Sequence, residues 1–298
     1  MPLLFLKLYL LSCTFLHTYY EIMKISATSA LVLNWTATDV WTSKAAKDYT
    51  SGLDLSEGNT LLSIFNEEEQ YLHLQAVSNR KFFVRKKAIE FIVQHSQTNT
   101  TPQIIVLAAG IAPLSVDLAA LHSNAKVFDV DKYLMEEKKT FLQNSLPNIA
   151  FLSCDITDIA LLKDKLEAAG WDKEQPTLVV MEGIIYYLPE ASLKEIFRFF
   201  AEHNCALAGD FGLRPEDVDE YIRHVGEDLF TKIRATIGLP STQHYEPNYF
   251  LKLLAEAGYP RAERTLLSVI QKEFRGSEAP FEGTEPCWIS MFVAAPQN

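Results

Sequence analysis

Apolar and polar positions along the 298-residue chain switch between two periods, and the switches mark out strands and helices. Ile104, Ile105, Val106 and Leu107 form an unbroken apolar run, as a parallel strand covered on both faces requires. The small residues Ala108, Ala109 and Gly110 follow it, then a helical pattern, then a second strand from Ala125 to Val130 that delivers Asp129 and Asp131 to its carboxyl end. The spacing predicts further strands at Ile149 to Ser153, Thr177 to Met181 and Cys205 to Gly209, the last closing with Asp210. Between them, Ile159, Leu162 and Leu166 face one way on a helix that Thr157 or Asp158 caps and Gly170 ends. Leu193, Ile196, Phe197 and Phe200 recur at i, i+3, i+4, i+7 on the next helix. Strand and helix alternate, which predicts a doubly wound parallel sheet.

Ahead of this region the pattern is helical from Ile25 to Tyr49, with Thr36 and Asp39 as candidate caps, and residues 50–60 are turn-rich. Leu61 to His73 is helical but broken by Glu67-Glu68-Glu69. Lys81 to His95 sets a broad apolar face of Phe82, Ile89 and Val93 against a solvated remainder of Lys81, Arg85, Lys86, Lys87 and Glu90. Ser96 to Pro102 reads as a linker. Past Asp210 the alternation stops: Pro215 to Ile237 and Asn248 to Ala257 read as helices around a loop from Leu239 to Tyr245. Thr265 to Phe274 and Cys287 to Ala294 read as two strands joined without a helix, hence antiparallel. The expected architecture is a Rossmann-like α/β sheet of about seven strands, mostly parallel, with an antiparallel hairpin at one edge. An N-terminal helical cap spans 23–100, and the sheet domain spans 101–298 with a lid insertion at about 213–260.

Composition narrows the partners. A net charge of −11 and a pI near 5.2 argue against a duplex nucleic-acid binder, which needs a basic face. Cys13, Cys154, Cys205 and Cys287 show no C-x-x-C spacing, so neither a zinc site nor a disulfide framework is expected, and no metal. Pro2 to Leu16 is strongly apolar, with Lys7 its one charged residue. It lacks the basic flank and small-residue cleavage site of a secretory signal and is too short to span a bilayer comfortably. Met23 then reads as the working start, residues 1–22 as an upstream extension, and the protein as cytoplasmic.

Candidate chemistry lies at the strand ends, which offer Gly110, Asp131, Asp155, Glu182 and Asp210 in turn. In open α/β sheets ligands bind at that edge, and an acid there can hold a ribose diol. A dinucleotide fingerprint uses three glycines to cradle a pyrophosphate; the corresponding turn, Ala108 to Pro113, has one. Little provision for phosphate, with acids on three successive strands, suits S-adenosylmethionine better than NAD, because opposite charges offset each other's desolvation. Two readings remain: a methyltransferase, or a non-catalytic protein of the same fold that senses the donor. Glu182 and Tyr187 beyond the fourth strand favour the enzyme.

The segment Glu182-Gly183-Ile184-Ile185-Tyr186-Tyr187-Leu188 resembles the E-G-v-l-x-Y-L motif of the leucine carboxyl methyltransferase family. Val130-Asp131 with Lys138, Cys154-Asp155-Ile156-Thr157-Asp158, Val84-Arg85 with Glu90, and Thr36, Asp39 and Lys44 resemble further family patterns. The family's G-A-G-x-D-T-R is here Ala108 to Leu114, without the D-T-R. The resemblance implies an O-methyltransferase acting on a carboxylate or hydroxyl of a small molecule or peptide terminus. It implies that Lys44 and Arg85 hold the donor's carboxylate, that Ala109 and Gly110 line the donor, and that Asp131 holds the ribose. Asp155 and Ile156 would hold the adenine, Glu182 the methionine portion, and Tyr187 would face the transfer site. Tyr221, Arg223, Arg234, His244 and Tyr245 are candidate acceptor contacts from the lid.

Overall fold

A computed structural model of the chain describes residues 28–97, 100–142, 145–238 and 241–297. The expectations for residues 1–22, Cys13 among them, lie outside the described residues. The central sheet has the order β3-β2-β1-β4-β5-β7-β6. Strands β1 (Gln103–Leu107), β2 (Lys126–Asp131), β3 (Ile149–Ser153), β4 (Thr177–Met181) and β5 (Ala206–Gly212) run parallel; β7 (Ile289–Ala295) pairs antiparallel with both β5 and β6 (Arg261–Thr265). All five residues of β1 and of β4 are buried, which is why their sequences are apolar without alternation.

Register decides what meets at the carboxyl edge. Leu107 pairs with both Val130 and Met181, Asp131 with Ser153, and Met181 with Gly209. The residues that follow these positions, Ala108 to Gly110, Asp155, Glu182 and Asp210, therefore share one edge with Asp131. The switch point lies at β1, between β2 and β4, where a crevice opens.

Helices cover both faces. Those of the sheet region are α5 (Leu114–Leu121), α6 (Met135–Leu142), α7 (Ile159–Ala168), α8 (Glu190–Glu202), α9 (Glu220–Ile237), α10 (Pro247–Glu256) and α11 (Leu267–Arg275). Before β1 come a helix over residues 28–34 (α1), α2 (Lys44–Ser51), α3 (Ser56–Leu62) and α4 (Glu67–Ser96).

The first helices correct the sequence reading. The pattern from Ile25 to Tyr49 is interrupted by turns over residues 35–43. Ser43, not Thr36 or Asp39, caps α2, accepting the Ala46 N–H at 3.1 Å. Thr36 donates its hydroxyl to Val32 O at 2.9 Å, and Asp39 pairs with Arg275. Residues 50–60 are not all turn: α3 includes Gly58, where an added Cβ would lie 2.5 Å from the Ala30 carbonyl carbon. The acidic run does not break a helix but starts one. Asn66 and Glu69 form a capping box, each side chain accepting the other's backbone N–H at 2.9 Å. Glu67 to Glu69 suit the positive end of the helix dipole. From there α4 runs unbroken for 30 residues, about 45 Å at 1.5 Å per residue.

At the far edge, of the expected strand Thr265 to Phe274 only Thr265 is in a strand. Leu267, Ile270 and Gln271 are buried at helical spacing on α11, Phe274 stacks on Phe82 of α4 at 4.4 Å, and Gly276 closes the helix at φ +81°. The antiparallel partner of β7 is supplied instead by Arg261–Thr265. Strand β5 extends through Gly212, so Asp210 lies inside it, fully buried. Among the described residues, no helix is long and apolar enough to cross a membrane.

Candidate functional site

The carboxyl edge at the switch point opens into a cavity of about 420 Å³, within the range of small-molecule sites. Its floor is the turn after β1. Ala108 and Gly110 both have positive φ, +52° and +51°, a conformation glycine takes freely and alanine at a cost of roughly 1–2 kcal/mol. Asp131 ties the turn down: Oδ2 accepts the Gly110 N–H and Oδ1 the Tyr133 N–H, each at 2.9 Å. Burial raises the Asp131 carboxyl above the ordinary range, and the two amides counteract it. Beneath the turn, buried Lys138 donates to Ala112 O at 2.7 Å and Gly110 O at 3.3 Å, and pairs with Asp129 at 2.6 Å.

At the next strand end, Asp155 Oδ1 accepts from the Thr157 hydroxyl at 2.7 Å and amide at 3.0 Å, and Lys132 Nζ lies 3.3 Å from Oδ2. The Thr157 hydroxyl bond, with these further partners, lowers the Asp155 carboxyl. Ile156 supplies an apolar wall.

The opposite end is ionic. Glu182 Oε1 accepts from Lys81 Nζ at 2.8 Å and Arg80 Nε at 3.1 Å. Burial opposes ionisation of Glu182, but Lys81 and Arg80 outweigh it and hold its carboxyl below the usual range. Burial likewise lowers Lys81, against the pull of Glu182. Arg80 Nη1 also donates to the Tyr186 hydroxyl at 3.1 Å. Tyr187 faces the cavity from the 3-10 turn Ile185–Tyr187, its phenol pushed up to about 12 by burial. Val32 and Leu33 of α1, with Ser29, close the cavity from above.

Of the residues singled out by sequence, Ala109, Gly110, Asp131, Asp155, Ile156, Glu182 and Tyr187 meet in this cavity. Lys44 and Arg85 do not line it. Lys44 is exposed and pairs with Asp48 on its own helix. Arg85 is engaged by buried Asp117, its Nε donating to Oδ2 at 2.6 Å, while Asp117 Oδ1 accepts the Ser43 N–H at 2.7 Å. Among the described residues, none of 213–260 lines the cavity. Tyr221 donates to Glu282 O, Arg223 to Val218 O, and His244 Nδ1 lies 3.0 Å from Leu213 O. That segment reaches the site indirectly, the Gln243 N–H donating to Tyr186 O at 2.7 Å.

Sequence reasoning passed over Arg80 and placed Lys81 on a solvated face. A signal was there: Val77, Lys81, Val84 and Ala88 recur at i, i+4, i+7, i+11, so Lys81 sits on the apolar stripe of α4. A lysine on such a stripe needs a partner.

A family model described as leucine carboxyl methyltransferase matches residues 39–201, more than half of the chain. The fold is similar to that of a Thermobifida fusca protein described as a candidate methyltransferase. The identity is 14%, over 88% of this chain and 95% of that one, with a TM-score of 0.57. It is equally similar to a DUF574-family protein of Streptomyces avermitilis, at 15% identity over 88% and 100% of the two chains and a TM-score of 0.57. None of the curated proteins compared with the chain matches it.

Proposed function

The chain belongs to the leucine carboxyl methyltransferase family, and we propose that this enzyme moves a methyl group from S-adenosylmethionine to a carboxylate oxygen of a small molecule or peptide terminus. The observation that carries the reading is a single cavity with a nucleoside-type acid turn at one end and a buried carboxylate bound by two cations at the other.

The residues present fit the donor. Among the described residues, a Cβ on Gly110 would meet only Ser29 Oγ, at 3.3 Å, so the turn leaves space above it. Asp131 has spent one lone pair of each oxygen on an amide and keeps one apiece for the ribose hydroxyls. Ile156 would flank the adenine and Asp155 take its amino group. Glu182 would take the ammonium of the methionine portion, and Lys81 and Arg80 its carboxylate; Arg80 Nη2 makes no hydrogen bond among the described residues. Lys81 and Arg80 take over here the role that the resemblance gave to Lys44 and Arg85.

When bound, the donor supplies a methyl carbon activated by its sulfonium. The protein's part is alignment and exclusion of water. Val32, Leu33, Ile184 and Leu188 wall the cavity with apolar surface, and Tyr187 faces the acceptor end. Among the described residues no histidine lines the cavity, the Tyr187 phenol holds its proton, and Glu182 is taken up by two cations. A hydroxyl acceptor would need a base there; a carboxylate needs none, which favours the carboxylate. The same reading includes the division into a cap of residues 23–100 and a methyltransferase domain of 101–298, with the segment at about 213–260 backing Tyr186. It also places the enzyme in the cytoplasm, with no nucleic-acid partner.

The test is methyl transfer from labelled donor to paired acceptors, carboxylic acids against alcohols of matched shape. The expected product releases methanol in alkali, as an ester does. An alkali-stable product would overturn the carboxylate reading. Tight binding of NADH with none of S-adenosylmethionine would overturn the donor.

A further inference from the structure

Asp210 does not line the cavity, yet each of its polar partners belongs to the site's ionic end. It lies on β5 one position past Gly209, which pairs with Met181, and so stands beside Glu182. It is 0% exposed, and a carboxylate so buried must be met by hydrogen bonds or charge. Oδ1 accepts the Gly183 N–H at 2.7 Å. Oδ2 accepts the Tyr186 hydroxyl and lies 3.7 Å from Arg80 Nη1. Tyr186 closes a triangle, because its oxygen accepts from Arg80 Nη1 at 3.1 Å. Gly183 adopts φ +71°, and a Cβ there would lie 3.2 Å from Arg80 Nη2. The turn that presents Glu182 and the guanidinium that grips it are both anchored to one aspartate behind the cavity wall.

We propose that Asp210 is a positioning residue for the transfer site. It locks the Glu182–Gly183 turn and the Arg80 guanidinium into one arrangement, with Tyr186 as the bridge. The inference rests on the methyl-transfer reading above and assigns Asp210 no contact with donor or acceptor.

The charged and titratable groups around Asp210 are Arg80 and Lys81 from α4, Glu182 and Tyr186 beyond β4, and Cys287 ahead of β7. His244 stands next to Tyr186, both within 3.2 Å of where a Cβ on Gly212 would lie, and its Nδ1 is 3.0 Å from Leu213 O. Burial pushes the Asp210 carboxyl up to about 6, against the pull of Arg80 and the Gly183 amide. Protonation below that point removes the ionic hold on Arg80 and one acceptor of the triangle. The site's grip on the donor then loosens as pH falls through about 6. Glu182, held low by two cations, stays ionised over the same range.

Binding of S-adenosylhomocysteine to the full chain is measured by calorimetry from about pH 5 to about pH 8, a range that spans the Asp210 transition. The native protein should lose affinity through a break near pH 6. Asp210→Asn should bind about tenfold more weakly at neutral pH, as loss of a charge-assisted hydrogen bond implies, and should lack that break. Tyr186→Phe keeps the carboxylate and removes a donor to it, so its break should move to higher pH. That shift is one a purely structural loss would not produce, and it decides the matter should Asp210→Asn fail to fold. Native affinity and a native break in Tyr186→Phe, or the native break persisting in Asp210→Asn, would overturn the inference. A native protein that does not bind the ligand at all would overturn the donor reading itself.

Discussion

Lys81 Nζ lies 2.8 Å from Glu182 Oε1, across 101 residues of sequence and with side chains only 1% and 7% exposed. Removing one member leaves the other's charge buried and short of a partner. Lys81→Met and Glu182→Gln should each destabilise the fold by roughly 3–5 kcal/mol. The double variant should fall short of the sum by about 1–3 kcal/mol, since the two act on one network. Denaturant unfolding of the four proteins checks this, and strict additivity would mean that the contact carries no coupling.

Asp131 is expected to govern donor affinity. Asp131→Ala should weaken binding of S-adenosylhomocysteine by roughly 1–3 kcal/mol through lost hydrogen bonds to the ribose. Calorimetry provides the measurement, and unchanged affinity would move the ribose elsewhere.

Arg80 and Arg85 lie on the same helix but should fail in different ways. Arg80→Ala should weaken S-adenosylhomocysteine more than adenosine, which has no carboxylate to lose. Arg85→Ala should lower the unfolding midpoint, because it strands Asp117 among the Thr42 and Ser43 amides, and should leave both affinities as they were. Lys44→Ala should change neither. The reverse pattern would restore the donor role to Arg85 and Lys44.

His73 makes stability depend on acid. It is 1% exposed, neither ring nitrogen has a hydrogen-bond partner among the described residues, and Trp35, Phe65 and Trp288 surround it. Burial pushes its imidazole down to about 3, from an ordinary 6.5. A depressed histidine contributes stability that is present above its unfolded value and is lost as pH falls toward the folded one. The unfolding midpoint should therefore drop between about pH 6.5 and about pH 3, and drop less in His73→Phe. Parallel curves for the two proteins would remove His73 as the cause.

The parallel strands were legible because burial on both faces demands unbroken apolar runs, as at Ile104 to Leu107 and Leu178 to Met181. Asp131 and Glu182 followed, since strand ends locate them. Three features hid from the pattern. Lys81 carries charge on the apolar stripe of α4, a signal that one helical period more of reading would have caught. Arg80 beside it is revealed only by its tertiary partners. Leu266 to Phe274 is too short for its apolar residues to separate strand from helix, and the true strand, Arg261–Thr265, is an edge with no apolar run. Helix α3 holds Gly58 and Asn59, poor helix formers that a local reading takes for a turn.

Gly58 sets the ceiling height of a chamber it never touches. Alanine would ordinarily favour the helix there by roughly 0.5–1 kcal/mol, but its methyl would press on the Ala30 backbone at 2.5 Å. The helix above, which bears Val32 and Leu33, would have to rise. Gly58→Ala should thus admit water into the cavity and speed exchange of the amides of residues 28–34, with every residue of the cavity wall unaltered. How dry the reaction space stays is decided one layer out, by the absence of a single carbon.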